Sequence, residues 1–176
     1  MHIMIEKEFL NALAGGKEDV LQVFLDALSR IGTNYCLIGG LAVNAYAEPV
    51  VSLDLDAVVA ARDLEAVCKA VESHFKLERF AHSVNLSTAK SDLRIQLQTD
   101  QRYQDFVPRA SARTVLGYPM RVASVEDVLQ GKIWAYLDEE RRRSKRQKDL
   151  ADIARLVEAY PSLMEQLPDS IRKHLE

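Results

Sequence analysis

The stretch Tyr35-Cys36-Leu37-Ile38-Gly39-Gly40-Leu41-Ala42-Val43, followed closely by Ser52-Leu53-Asp54-Leu55-Asp56-Ala57-Val58-Val59, decides the fold. Residues 35–38 form a short apolar run of the kind that makes a buried strand. Gly39-Gly40 ends the run, and residues 41–47 read as a short helix closed by Pro49. Two glycines between a buried strand and a helix let the backbone turn tightly and approach a phosphate closely. The pair is not a P-loop, because no Gly-Lys-Ser/Thr follows, and it is too short for a dinucleotide fingerprint. Residues 50–59 read as a second strand. Its period of two puts Asp54 and Asp56 on one face and Leu53, Leu55 and Ala57 on the other. Adjacent carboxylates repel, and an apolar strand offers them little water, so a bound divalent cation is the simple way to keep both ionised. Mg²⁺ suits such a pair, completed by waters and substrate phosphates. The plain alternative is a strand end carrying two solvated acids.

Outward from this stretch, residues 17–30 carry Val20, Val23, Phe24, Ala27 and Leu28 at helical spacing, and Gly32 with Asn34 stops them. Residues 62–75 are a second amphipathic helix. Residues 82–87 and 93–97 read as strands, the latter alternating Leu93, Ile95 and Leu97 against Arg94, Gln96 and Gln98. Residues 114–122 hold Gly117-Tyr118-Pro119, read as a turn between two extended pieces. The texture then becomes helical. Ser124 with Asp127 resembles a capping box opening a helix to about residue 137, and another helix runs to about residue 160. Pro161 and Pro168 break the tail. The pattern predicts an α/β core over residues 1–123 and a C-terminal helical region over residues 124–176 packed on it.

Composition bounds the function. The chain has 176 residues, 48% hydrophobic and 28% charged, enough for a real core. A formal net charge of -3 excludes a uniformly basic nucleic-acid coat, so any nucleic-acid contact is local. Cys36 and Cys68 read as small core hydrophobes, with neither a disulfide framework nor zinc spacing, which favours a reducing cytoplasm. The opening residues meet Glu6 too early for a signal peptide, and no apolar run approaches the roughly 20 residues of a membrane span. His2, His74, His82 and His174 show no ligand spacing, and Trp134 reads as a packing residue.

Two helices break their own pattern. Lys132 falls in the middle of the stripe Val125, Val128, Leu129, Ile133 and Tyr136. It must snorkel, find a carboxylate or face a polar cavity. On the next helix Arg146 and Asp149 project inside the arc of Leu150, Ile153, Leu156 and Val157, with Asp152 at its edge. A structural Arg146–Asp149 pair is one reading. The other is a phosphate site in which Lys132 binds and Asp149 orients. Residues 141–148, Arg-Arg-Arg-Ser-Lys-Arg-Gln-Lys, are the one strong basic run, suited to triphosphate or an RNA acceptor, with no aromatics for base stacking.

Ile38-Gly39-Gly40-Leu41-Ala42-Val43 with Asp54-Leu55-Asp56 resembles the nucleotidyltransferase superfamily of polymerase-beta-like fold, and within it the bacterial AbiEii-type toxin nucleotidyltransferases. The resemblance implies a mixed β-sheet flanked by helices. It implies a glycine turn at Gly39 and Gly40 on the triphosphate, with Asp54 and Asp56 holding one or two Mg²⁺ ions. It also implies transfer of a nucleoside monophosphate from an NTP to a hydroxyl of RNA, protein or a small molecule, and an antitoxin partner. The pattern Lys148-Asp149-Leu150-Ala151-Asp152 matches the family's Lys-Asp-x-x-Asp, in which Asp149 is the inward member and Lys148 faces solvent. Lys132, Arg146 and Asp149 then serve the nucleotide side. Two departures stand out. Val50 and Ser52 replace a basic residue and a threonine, and Ser52 is the conservative change. Gln96 takes the place of the third carboxylate; it can offer a carbonyl oxygen but cannot act as a base. Asp92 or Asp100 could substitute after a register shift. The alternatives are therefore a degenerate nucleotidyltransferase fold that binds nucleotide or a partner without turnover, and an antitoxin-like or RNA-binding scaffold using the basic run.

Overall fold

Apolar alternation marks the inner strands of the sheet, such as Asp54–Val59 and Ser91–Gln98. A computed structural model describes residues 2–16 and 18–176, with side chains from residue 6 onward. The strands are β1 (Tyr35–Ile38), β2 (Asp54–Val59), β3 (Lys76–Arg79), β4 (Ser83–Thr88), β5 (Ser91–Gln98), β6 (Ser111–Val115) and β7 (Tyr118–Val122). They form one mixed sheet in the order β3-β4-β5-β2-β1-β7-β6. The β2–β5 and β1–β7 pairs are parallel and the others antiparallel. Parallel pairing of Leu55 with Ile95 and Ala57 with Leu97 gathers four buried side chains on one face of the sheet. A one-residue slip would send all four into the polar side, which is what holds this register.

Helices cover the sheet. They are α1 (His2–Leu13), α2 (Val20–Ile31), α3 (Gly39–Val43), α4 (Leu64–Val71), α5 (Phe106–Arg109), α6 (Val125–Leu137), α7 (Arg143–Ala159) and α8 (Asp169–Arg172). Helix α2 is capped by Asp19, which accepts from the Gln22 N–H at 3.1 Å, and ends at Gly32 with φ 70°. It packs against α4 and touches β5. Ser124 caps α6 by accepting from the Asp127 N–H at 3.2 Å, as its spacing predicts. Helices α6 and α7 pack on each other and on α3.

Several boundaries differ from the expectation. The helix expected from residue 17 begins at Val20, and Lys17 itself lies outside the described residues. Residues 50–53 are irregular and β2 begins at Asp54, because the Asn44 carboxamide grips Val50 at both its N–H (3.0 Å) and its carbonyl (2.8 Å). The short helix starts at Gly39 itself and ends at Val43. The helix expected over residues 62–75 is a 3-10 turn (Ala61–Asp63) followed by α4. The hairpin turn lies at Leu116 (φ 48°) and Gly117 (φ 80°), the two positive angles a tight two-residue turn requires, so Tyr118 and Pro119 belong to β7. Helix α1 and the mostly exposed edge strand β3 add to the expected elements.

Ile153 on α7 is fully buried. Ile153→Ala is expected to lower the free energy of unfolding by about 3 kcal/mol, read by urea titration; a loss under about 1 kcal/mol would mean that α7 is not seated on the core as described.

Candidate active site

Strand β2 presents Asp54 and Asp56 to the polar side of the sheet, opposite Leu55 and Ala57. The parallel β2–β5 register sets Arg94 beside Asp54 and Gln96 beside Asp56. The Arg94 Nε lies 3.0 Å from Asp54 Oδ1, and Lys145 Nζ lies 3.8 Å from Asp54 Oδ2. Gln96, which the resemblance puts in the place of a third acid, lies beside Asp56. The register does not shift to bring another. Asp92 is the second residue of β5, beside Gly15, and Asp100 caps the following turn by accepting from the Arg102 N–H at 3.1 Å and pairing with that guanidinium. Among the described residues no three His, Cys, Asp or Glu side chains cluster as a metal cage.

Gly39 has φ 72°, and a Cβ there would run into the Asp56 carboxylate. Only glycine lets the end of β1 pass this close to the acid. Gly40 lines the neighbouring cavity, and a Cβ there would lie 3.7 Å from Asp152 Oδ2. Ser52 Oγ accepts from the Asp54 N–H at 3.2 Å, which fixes the entry into β2 and leaves the serine on the cavity wall.

On the opposite wall Lys132 finds carboxylates rather than water. Its Nζ lies 3.0 Å from Asp149 Oδ1 and 2.7 Å from Asp152 Oδ2, all three groups being largely buried. Arg141 Nε bonds Asp149 Oδ2 at 2.7 Å. Arg155 bonds Asp152 Oδ1 at 2.8 Å and Asn44 Oδ1 at 2.9 Å, and also donates to the Glu48 carbonyl. Arg146 departs from its expected place. Its Nε donates to the Tyr136 carbonyl at 2.7 Å and its guanidinium lies over the Tyr136 ring, so it closes the end of α6 and pairs with neither Asp149 nor the cavity. Lys148 is exposed as expected, but on the cavity wall. Sequence reasoning did not single out Arg141, Lys145 or Arg155. The first two sat unresolved in a basic run, and Arg155 read as an ordinary surface position of α7.

Three cavities meet at Asp56. One, of about 90 Å³, lies among Gly40, Ser52, Lys132, Lys145 and Lys148. A cleft of about 450 Å³ lies over the polar sheet face among Asp54, Asn85, Arg94 and Gln96. A third, of about 100 Å³, reaches Gln96, Tyr103, Gly131 and Lys132. Burial pushes the Asp56 carboxyl above the usual carboxylate range; Lys132 pulls it down and the Asp54 charge pushes it up again. For Lys132, burial lowers the ammonium pKa, but Asp152 and Asp149 more than offset that and leave it above the ordinary lysine value. The donor set, two carboxylates on one strand face and an adjacent carboxamide, fits a hard divalent ion that takes its other ligands from water and phosphate.

This architecture defines a class, the nucleotidyltransferase fold. Solved structures share it. The factor ANT(2'')-Ia in complex with adenylyl-2''-tobramycin is 16% identical with TM-score 0.62, covering 89% of this chain and 94% of that one. The lincosamide antibiotic adenylyltransferase LnuA, lincomycin-bound, is 14% identical with TM-score 0.56, covering 81% and 99%. An antigenic nucleotidyltransferase-like protein from Paracoccidioides brasiliensis is 20% identical with TM-score 0.53, covering 87% and 91%. No curated protein matches the chain. The family model described as nucleotidyl transferase AbiEii toxin, type IV TA system, matches residues 23–176, and the chain belongs to that family of nucleotidyltransferases. No helix among the described residues is long and apolar enough to cross a membrane.

A carboxyl whose pKa is raised by folding destabilises the fold when ionised and not when protonated. Asp56→Asn should therefore melt above the wild type at neutral pH without ligand, with the difference vanishing as the pH falls below the ordinary carboxylate range. A variant melting below the wild type at neutral pH would refute this.

Proposed function

We propose that the cleft joins a nucleoside monophosphate from an NTP to an acceptor hydroxyl. The acceptor oxygen attacks the α-phosphorus, the hydroxyl proton passes to solvent water, the bond to the bridging oxygen breaks, and pyrophosphate leaves. The observation that supports this reading best is the Asp54–Asp56 pair facing a wall of lysine and arginine across one cavity. In this reading Asp54 and Asp56 hold Mg²⁺, which supplies charge neutralisation to the phosphates when bound. Gly40 and Ser52 line the phosphate path, while Gly39 makes room for Asp56. Lys132 has spent two of its three N–H donors on Asp149 and Asp152 and has one left for a phosphate oxygen. Asp149 holds Lys132 and Arg141 in place. Lys145 and Lys148 add positive charge at the mouth. Gln96 faces the acceptor side and presents a carbonyl oxygen without acting as a base.

In this reading the core, residues 1–123, supplies the metal-binding acids and the glycines, and the helical part, residues 124–176, supplies the phosphate-binding lysines. In this reading the protein is the toxin of a toxin–antitoxin pair, which the description of its family supports; it acts in the bacterial cytoplasm under control of an antitoxin protein, with RNA, protein or a small molecule as acceptor. The adenylyltransferase LnuA was solved with the antibiotic lincomycin, so a small hydroxylated acceptor belongs among the substrates to test. A second reading, nucleotide binding without turnover, draws on Gln96 in the acid's place.

Incubation with each α-labelled NTP, Mg²⁺ and total RNA, protein extract or aminoglycoside and lincosamide acceptors is expected to transfer label. Asp56→Asn should reduce transfer by more than about 100-fold. Metal-dependent NTP binding with no transfer to any acceptor would favour the second reading, and no metal-dependent NTP binding would refute both.

A further inference from the structure

Two-metal phosphoryl-transfer sites place two divalent ions about 4 Å apart, one on the nucleotide phosphates and one on the attacking oxygen, bridged by shared carboxylates. Here the free acids are few: of the others on the cavity walls, Asp149 and Asp152 are held by Lys132, Arg141 and Arg155, and Glu78 pairs with Lys76 at 2.9 Å. Gln96 is neutral at the position beside Asp56, and Asp54 is already paired with a guanidinium. Two divalent ions would bring twice the charge that Asp54 and Asp56 carry, next to Arg94, Arg141 and Lys145.

The location of Arg94 is specific. Asp54 stands between the small basic cavity and the larger cleft and lines both, whereas Arg94 lines the cleft and not the small cavity. Lys145 lines both, on α7. Strand register puts Arg94 directly beside Asp54, and the Arg94 N–H is held by the Leu53 carbonyl at 2.8 Å. The Arg94 side chain is 71% exposed, so in the free protein this pair adds little stability. Exposure is toward the cleft, where a bound acceptor would exclude water and strengthen the interaction. One edge of the guanidinium meets Asp54, and the rest is open to a phosphoryl oxygen.

We propose that the site takes one divalent ion with its nucleotide, and that the Arg94 guanidinium occupies the place of a second cation, on the cleft side of Asp54. This rests on the nucleotidyltransferase reading given above. Arg94 is therefore a positioning and charge-neutralising residue, fixed covalently where an ion would otherwise bind, and Gln96 is the neutral neighbour that keeps a second ion out.

The test counts ions rather than turnover. The protein is dialysed to equilibrium against Mn²⁺ and an equimolar mixture of the four α,β-methylene nucleoside triphosphates, and electron paramagnetic resonance is recorded on the complex. The expected result is one Mn²⁺ per retained nucleotide with the six-line spectrum of an isolated ion. The Arg94→Ala/Gln96→Asp double variant, which removes the guanidinium and restores an acid, should take up a second Mn²⁺ and show the broadened spectrum of a coupled pair. Two ions per nucleotide in the wild type, or a coupled spectrum, would overturn the proposal while leaving nucleotide binding intact. A wild type that retains no nucleotide would overturn it together with the reading on which it rests. The wild-type measurement decides the matter even if the double variant fails to fold.

Discussion

The Lys132 ammonium, held between Asp149 and Asp152, is the interaction on which the site depends. Taking these charges out of water is expensive, and the cost is offset only because each carboxylate has a further partner, Arg141 for Asp149 and Arg155 for Asp152. From Arg155 the chain of bonds continues to Asn44, and from Asn44 to both backbone groups of Val50. One polar network thus runs from α6 through α7 to the loop that delivers Asp54 and Asp56. A fully satisfied network of this kind gives a single geometry, and a partly broken one leaves buried charge. It ties the helical region to the acid-bearing strand at the one place where their relative position matters.

The two sides of the cavity are electrostatically opposite. The β2 acids repel one another, and burial penalises Asp56 in its charged form; Lys132, Arg141 and Lys145 oppose that penalty from across the cavity. The free protein therefore carries an unfavourable charge at Asp56, which the proposed metal–nucleotide complex would relieve. Gly39 has the same character: its positive φ and its lack of a side chain serve close approach to Asp56 and contribute nothing to the core. Local rules broken at one spot and supported elsewhere are the usual mark of a functional site.

Much of this was legible in the chain. The alternation of residues 93–97, the Ser124 cap, the glycine pair and the spacing of Asp54 and Asp56 each carry their own short-range physical signal, and each matches an element of the fold. Lys132 and Asp149 were conspicuous because they broke an apolar stripe, and they are indeed buried together. The misassignments have local causes too. Strand β3 is an exposed edge whose charged residues leave no alternation to read. Residues 50–53 looked extended, yet the Asn44 clamp, a bond across 6 residues, keeps them out of the sheet. Arg146 read as the partner of Asp149 by helical spacing, but the nearby end of α6 offered the Tyr136 carbonyl instead.

The sequence by itself determined the fold class and the pair of acids on one strand face, because these follow from periods of two and of 3.6 residues and from residue chemistry, while the resemblance alone implied that Gln96 takes a third acid's place. Only the tertiary structure decided which cations face the acids. Arg94 reaches Asp54 through a strand register, Lys145 through the docking of α7, and Arg141 through its bond to Asp149. Partners chosen by packing between distant segments leave no periodic trace in the chain.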